Sequence, residues 1–588
     1  MSPNPTAPRP LFAAIGYLAA AAPLVVGIWR ASFGSQWRDD AALLAAVGEG
    51  PPAVQGALSA LLGSLAVELP IGGKWLRAAL VSVLALSLAG ALIYQLTRHL
   101  ARLLGVAPGA ASAAALGAAW LVTLAPAWQL EATVGGGLTL AAVLCLAGLW
   151  VCREPEAPWV PLALAALLGA ALAESWVAAL ALAVAIGVRV STRRGVLPWS
   201  KRLIAVALGI FFLTALGLIF GQLLRSGGTF TDLGIAFAGE TAPRVTNEQP
   251  LAMVDENFTL LALGLALLGI GATFLRSNTR ALALSLATLC VAGAFFGHTN
   301  EEAFGANPWA PLALLGLAGI GIFAGVGAAS AFTLSRLRVP MARQSVGLLV
   351  TALYVLVLLG FERSTHVAAR RDHVASEAWT DEALSDLPPG GVLLLDSAKL
   401  AWHLWAAREI GGQRPDLIVA PLAALKHGSG ANALIGQVPA LAPVVRDLRL
   451  SRRPSEFALS SLAVERPLFV EFDPNWDPRM REHLVPHGFW VAFSPHALGR
   501  SDREGAALES DAAFSRVVAL AQRSGARDAG TLRVLEDQLA EHALMLFSLQ
   551  DFQAASMFAE KLRLIAPGHP SLESLVAPKV LAARGGVD

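Results

Sequence analysis

Charge is what this sequence has least of. Only 15% of its 588 residues are Asp, Glu, Lys or Arg, against roughly 25% in an ordinary soluble domain. Hydrophobic residues make up 55% and the mean hydropathy is +0.58. That balance excludes one large soluble enzyme, a disordered chain and a coiled coil. A net charge of +1 gives no footprint for a polyanion, so no nucleic-acid partner is expected. Cysteine is scarce too. Cys145, Cys152 and Cys290 all lie within or at the end of apolar segments, with no CxxC spacing and no disulfide framework.

The scarcity of charge is uneven. Residues 1–361 carry 20 Lys/Arg and 15 Asp/Glu, whereas the shorter stretch 362–588 carries 24 and 28. The first part has the composition of a membrane domain and the second that of a soluble domain able to bury its own core. Apolar runs long enough to cross a bilayer, about 17–25 residues, fall at 11–29, 75–96, 107–127, 132–151, 203–222, 258–275, 280–297, 310–332 and 344–361. The stretch 159–188, interrupted by Glu174, reads as two half-spans or a re-entrant pair, which brings the expectation to about 11 spans. The stretch 53–70, with Gln55, Glu68 and a final Pro70, reads as lying at the membrane surface.

The distribution of basic residues sets orientation. With the N-terminus in the cytoplasm, the cytoplasmic loops hold Arg98 and Arg102, the cluster Arg189 to Arg202, Arg276 and Arg280, and Arg336 to Arg343. Of the acids before residue 362, all but Glu154 and Glu156 fall on the other side. This predicts a multi-pass membrane protein with residues 362–588 on the non-cytoplasmic side. The first apolar run is too long for a signal peptide and is read as an uncleaved helix.

In the soluble part, Val392-Leu393-Leu394-Leu395 reads as a buried strand after Pro388-Pro389-Gly390-Gly391. A helix near 398–410 and a strand at Leu417-Ile418-Val419 should follow, with the two strands parallel neighbours in an α/β unit. Pro467 to Phe472 and Phe489 to Phe493 read as further strands. From about Ala512 the pattern is helical. Leu549 to Leu562 with Pro567, preceded by Leu539–Phe547, resembles a tetratricopeptide repeat that caps the α/β unit or docks a protein partner. The alternative is an ordinary helical hairpin. The expected domains are therefore 1–361, 362–510 and 511–588.

Candidate chemistry sits in the first external loop, Phe33-Gly34-Ser35-Gln36-Trp37-Arg38-Asp39-Asp40. Adjacent carboxylates after a membrane helix can serve as a general base or hold a divalent cation. A solvated loop pairing with Arg30 and Arg38 is the plainer reading. Glu131 follows Trp128 and Gln129 at another external helix end. Glu174 is costly and functional if it lies at membrane depth, and interfacial if the chain breaks there. Trp37, Trp75, Trp128, Trp176 and Trp309 read as an interfacial aromatic belt. Gly135-Gly136-Gly137 reads as close helix packing, and His298 with Glu301 and Glu302 as a solvated loop rather than a metal site.

Several stretches carry a family resemblance: Leu69-Pro70-Ile71-Gly72 followed by Trp75 to Ser82, Ala127-Trp128-Gln129 with Glu131, and Gly412-Gln413-Arg414-Pro415-Asp416 with Leu425. On these the chain is similar to an uncharacterised bacterial multi-pass membrane family related to protein O-mannosyltransferases, within the C-fold glycosyltransferases. The resemblance implies a polytopic helical membrane domain of that fold, followed by a soluble α/β domain and a short helical repeat. It implies transfer of a sugar from a polyprenyl-phosphate carrier to a protein or glycan acceptor on the non-cytoplasmic face. The donor would be the lipid-linked sugar, with no cofactor evident and the divalent-metal requirement open. Asp40 or Asp39 would be the catalytic base. Arg38 and Lys74 would face the lipid phosphate, Glu131 would shape the cavity, and Glu174, which stands where the family has a polar pair, would join them in binding the substrate or its lipid phosphate. The sequence departs from the family at Gly50-Pro51-Pro52-Ala53, where a His is lost, and at Thr133, where the family has Tyr. These departures imply the alternative function: a catalytically degenerate membrane scaffold with a partner-binding periplasmic domain.

Overall fold

The structure, a computed structural model, describes residues 10–34, 37, 47, 56–136, 139–154, 156–192, 199–226, 252–296, 309–334, 341–370, 374–426, 428–524 and 529–575. These residues form two compact units. The first is all helical. Its elements are α1 (Pro10–Arg30), α2 (Ala57–Val67), α3 (Lys74–Leu103), α4 (Pro108–Thr123), α5 (Pro126–Ala132), α6 (Thr139–Val151), α7 (Val160–Glu174), α8 (Trp176–Ser191), α9 (Lys201–Ser226), α10 (Ala252–Asn257), α11 (Leu260–Phe274), α12 (Ser277–Phe296), α13 (Ala310–Leu334) and α14 (Met341–Ala368). Five described helices, α3, α9, α12, α13 and α14, are long and apolar enough to cross a membrane. A sixth is added if α4 and α5, bent by 64° at Leu124-Ala125, count as one span. Six shorter apolar helices accompany them.

Small residues let these helices pack closely, which matters where lipid offers no hydrophobic drive between them. α13 is the buried centre of the unit. It lies against α11, where a side chain at Gly269 would strike the Phe323 carbonyl and one at Gly327 would strike the Leu265 carbonyl. Gly293 of α12 and Gly316 of α13 meet in the same way.

The second unit holds Trp37 and the chain from α15 (Val374–Ser385) onward. β1 (Val392–Leu395) leads to α16 (Ala398–Glu409) and β2 (Ile418–Pro421). Helices α17 (Leu422–Lys426), α18 (Gly428–Gln437), α19 (Ala442–Ser451) and α20 (Glu456–Glu465) precede β3 (Leu468–Val470). Then come α21 (Pro478–Arg481), β4 (Leu484–His487), β5 (Trp490–Phe493), α22 (Arg500–Ser524), α23 (Ala529–Ser548) and α24 (Phe552–Ile565). The sheet order is β2-β1-β3-β5-β4. β1 pairs parallel with β2, Val392 opposite Ile418, and parallel with β3, Val392 opposite Leu468. β5 runs antiparallel between β3 and β4. The expected β1–α16–β2 unit is therefore present. All four β1 residues are buried, as a strand flanked on both sides requires. α14 runs on to Ala368, and α22 is continuous across residues 510–511.

The aromatic belt needs correcting at two positions. Trp128 is wholly buried and its indole N–H donates to the Leu314 carbonyl at 3.2 Å. Trp37 is buried in the second unit, stacked on His403 at 3.7 Å between ring centroids and edge-on to Trp379. Both burials follow from shape: a large ring fills core volume best where its N–H or edge finds a partner. Gly136 takes φ 83° in the turn between α5 and α6, so it serves a left-handed turn rather than helix packing.

Candidate functional site

Asp39, Asp40 and Arg38 lie outside the described residues, as do His298, Glu301 and Glu302. What precedes and surrounds the start of their loop is described. α1 ends at Arg30, which is 1% exposed inside the helical unit. A guanidinium so placed needs several acceptors. One nitrogen donates to Gln129 Oε1 at 3.2 Å and to Ser364 Oγ at 2.6 Å. Another donates to the Phe361 carbonyl at 3.2 Å and to Thr365 Oγ1 at 2.5 Å. The Phe361 ring lies 4.6 Å from the guanidinium carbon.

Gln129 is the second member of this cluster. Its Nε2 donates to the Thr123 carbonyl at 2.6 Å, across the bend between α4 and α5. The bend arises because Pro126 opens α5 and cannot continue the hydrogen-bond ladder of α4. Asn257 Oδ1 accepts from Ala127 N at 2.8 Å and so satisfies the new helix start. The Thr133 carbonyl, just past α5, accepts from Ser32 N at 2.8 Å. The chain therefore leaves α1 already fastened to the short helix that carries Glu131. Glu131 is buried, at 7% exposure.

Glu174 is the last residue of α7. The chain breaks after it: Ser175 is extended and caps α8 through Ala178 N. Glu174 is nonetheless fully buried among protein side chains. Its Oε2 accepts from Ser59 N at 2.9 Å, its Oε1 accepts from Ser59 Oγ, and its carbonyl accepts from Gly56 N at 2.8 Å. The carboxylate thus holds the start of α2 against the α7–α8 break. Lys74 is exposed in the first turn of α3. The neighbouring Arg77 is the anchoring residue of that segment, donating to the Val67 and Leu69 carbonyls at the end of α2.

The Arg-Pro-Asp triplet in the second unit is a clasp. Arg414 donates to the Leu384 carbonyl at 2.6 Å, the Leu387 carbonyl at 2.7 Å and the Pro388 carbonyl at 3.2 Å. It also grips Asp416 with two nitrogens, at 2.9 and 2.8 Å. Asp416 in turn accepts from Gly390 N at 3.1 Å. The Arg414 guanidinium, with that N–H, holds the Asp416 carboxyl well below the usual carboxylate range.

Sequence reasoning missed Ser59 and two glutamates of the second unit, and it paired Arg30 with the loop acids where the structure gives it Gln129 and Ser364. Glu471 follows β3, and its Oε2 accepts from Asp396 N and Ser397 N, both at 2.6 Å. Glu541, on α23, accepts from Phe472 N. Burial pushes the Glu471 carboxyl up to about 7, and burial together with the charge on Glu471 raises that of Glu541 well above its ordinary value.

The chain has a distant similarity to known structures. ArnT from Cupriavidus metallidurans in the apo state is 16% identical over 78% of this chain and 91% of its own, with a TM-score of 0.49. The same protein bound to undecaprenyl phosphate is 15% identical over 71% and 90%, with a TM-score of 0.46. Arabinofuranosyltransferase AftD from Mycobacteria is 16% identical over 80% of this chain but only 36% of its own, with a TM-score of 0.41. Likeness at this level fixes neither fold nor activity for the present chain. No protein-family model matches the sequence, and no curated protein matches it significantly.

Proposed function

We propose that the chain is a membrane glycosyltransferase that moves a sugar from a polyprenyl-phosphate carrier to a protein or glycan acceptor on the non-cytoplasmic face. The observation that carries the reading is the fastening of the first loop. The Ser32 N–H to Thr133 carbonyl bond and the Arg30–Gln129 bond start that loop beside the helix of Glu131. The resemblance places the catalytic acid in this loop, and Asp39-Asp40 are its acids.

In this reading Asp40 takes the proton from the acceptor hydroxyl. The freed oxygen attacks the anomeric carbon as the bond from that carbon to the phosphate oxygen breaks, and the electron pair leaves with the lipid phosphate. Arg38 and Lys74 are the cations proposed to stabilise that leaving group. Glu131 shapes the cavity, Glu174 supports the fold beside it, and the soluble unit holds the acceptor. A positioned base is worth about 10²–10⁴-fold in rate. Asp40→Asn should therefore lose that much sugar transfer from a polyprenyl-phosphate donor in proteoliposomes, and Asp39→Asn less. Equal turnover by wild type and both variants would remove the aspartates from the mechanism.

One observation favours the degenerate-scaffold reading instead. Thr133, where the family has Tyr, is buried and spends its hydroxyl on the Gln129 carbonyl at 2.8 Å. No transfer by a well-folded wild type across several donors and acceptors would decide for that reading.

A further inference from the structure

The parallel strands β2, β1 and β3 end at one edge of the sheet, and α23 lies across it. Between them is a cavity of about 510 Å³, within the roughly 300–1,000 Å³ of small-molecule sites. The position is the one at which open α/β sheets bind ligands, outside the carboxyl ends of the strands. One wall is the chain just past the strands: Asp396 after β1, and Glu471 and Phe472 after β3. The other is a single face of α23, with Val534, Asp537, Gln538 and Glu541 at helical spacing. Trp476 adds an apolar side, and Lys426, Arg452 and Arg453 a basic one.

A group inside this cavity asks for a ligand. Gln538 is only 2% exposed and lines the cavity. Its Oε1 is held by the Trp379 indole N–H at 3.0 Å, which fixes the amide orientation. Its Nε2 is buried with no hydrogen-bond partner among the described residues. A buried amide donor without a partner, on a side chain that lines a polar cavity, calls for an acceptor at that wall.

The chemistry of the walls selects that ligand. A phosphate group would seek the first turn of α16, but the N–H groups of Asp396 and Ser397 are already taken by Glu471, and a second anion there meets that carboxylate. A metal ion lacks its ligands: among the described residues no three His, Cys, Asp or Glu groups come together to hold one. A sugar fits the remaining features. Its hydroxyls donate to the carboxylates and accept from an amide, and its carbon face lies on aromatic side chains.

We propose that this cavity is a saccharide-binding site, holding hydroxyls on Asp537, Glu541 and Gln538 with the Phe472 and Trp476 side as its apolar wall. Its role as the acceptor site rests on the transferase reading, whereas its affinity for a saccharide does not. The test is saturation-transfer NMR on the full chain in nanodiscs, with mannose, galactose, N-acetylglucosamine and mannobiose as probes up to about 50 mM, the weak end of specific binding. At least one probe should bind, with Kd raised 10-fold or more in both Gln538→Met and Asp537→Asn. Asp537→Asn keeps the proposal testable if Gln538→Met, which also loses the Trp379 bond, does not fold. The proposal is overturned if no probe binds, if the folded variants bind as wild type does, or if only a cationic probe such as trilysine binds. Because binding is read without turnover, a protein that binds sugar and transfers none would refute the transferase reading and leave the site standing.

Discussion

Replacing Arg414 should loosen the soluble unit locally, without touching chemistry. The side chain makes three bonds to carbonyls and two to Asp416. It joins the end of α15, the Pro388–Gly391 turn and the entry to β2, where Ile418 N donates to the Gly391 carbonyl at 2.9 Å. A hydrogen bond to a charged group is worth about 1.5–3 kcal/mol when buried. The Arg414 side chain is 24% exposed and that of Asp416 38%, so about 1 kcal/mol per carbonyl bond is a fairer figure, with at most about 1 more from the ion pair. Arg414→Met, which keeps the alkyl stem, should then cost about 3 kcal/mol.

The backbone refines the expectation. Arg414 sits at φ 44°, a left-handed conformation that costs a non-glycine residue about 1 kcal/mol or more. Arg414→Gly loses the same bonds but sheds that strain, so it should be less destabilised than Arg414→Met in the native state. Asp416→Asn should cost about 1 kcal/mol and couple to Arg414→Met in a double-mutant cycle. The Asp416 carboxyl lies below its unfolded value. Its contribution is therefore complete above about pH 4 and drains away as pH falls through the folded value. Amide exchange by mass spectrometry on the full chain in detergent reads the effect directly. Peptides over 384–395 and 414–421 should exchange about 100-fold faster in Arg414→Met, the equivalent of about 3 kcal/mol. Unchanged exchange there, with sugar transfer lost, would refute the clasp and move the triplet into the functional machinery.

Three further outcomes are expected. Glu471 holds a proton up to about pH 7 that the unfolded chain releases near 4.5, so its contribution to the stability of the second unit should fall as pH rises through that window and level off above it. Asp396, Asp537 and Glu541 face the group, and Glu541→Gln should flatten the fall in melting temperature between pH 5 and 8. In the helical unit, Glu174→Ala leaves Ser59 N and Oγ without their acceptor and should cost about 1–3 kcal/mol, whereas Glu174→Gln should fold nearly normally. Sugar transfer abolished in a stable Glu174→Gln protein would instead make the residue functional. A reporter active only in the periplasm should work when fused after Arg371 and fail within residues 193–202, and the reverse pattern would invert the topology.

How much of this was legible in the sequence depends on how far apart the interacting residues lie. The pair β1–β2 was legible because each strand is a short apolar run punctuated by glycine and proline, joined by one helix. β4 was not, because Pro486 stands inside it and argues against a strand. The structure accommodates the proline by placing β4 at the sheet edge, beyond β5. Glu174 was visible as an anomaly in an apolar stretch, but its partner Ser59 lies 115 residues away in a segment read as lying at the membrane surface. No periodicity links the two. Arg30 was read as a partner of the first-loop acids, and only the return of α14, 334 residues later, supplies its Ser364 acceptor. The cavity wall was hidden for the same reason. Asp396 and Glu471 are 75 positions apart, and they become neighbours only because β1 and β3 pair in parallel and end at the same edge. The Arg-Pro-Asp triplet teaches the converse lesson. It was read as a family mark because its residues are adjacent, yet the three carbonyls that Arg414 grips lie 26 to 30 positions earlier, between the end of α15 and the start of β1. In this chain the compact motif does structural work, while the groups with strained electrostatics and an unfilled hydrogen bond were scattered too widely to form a motif.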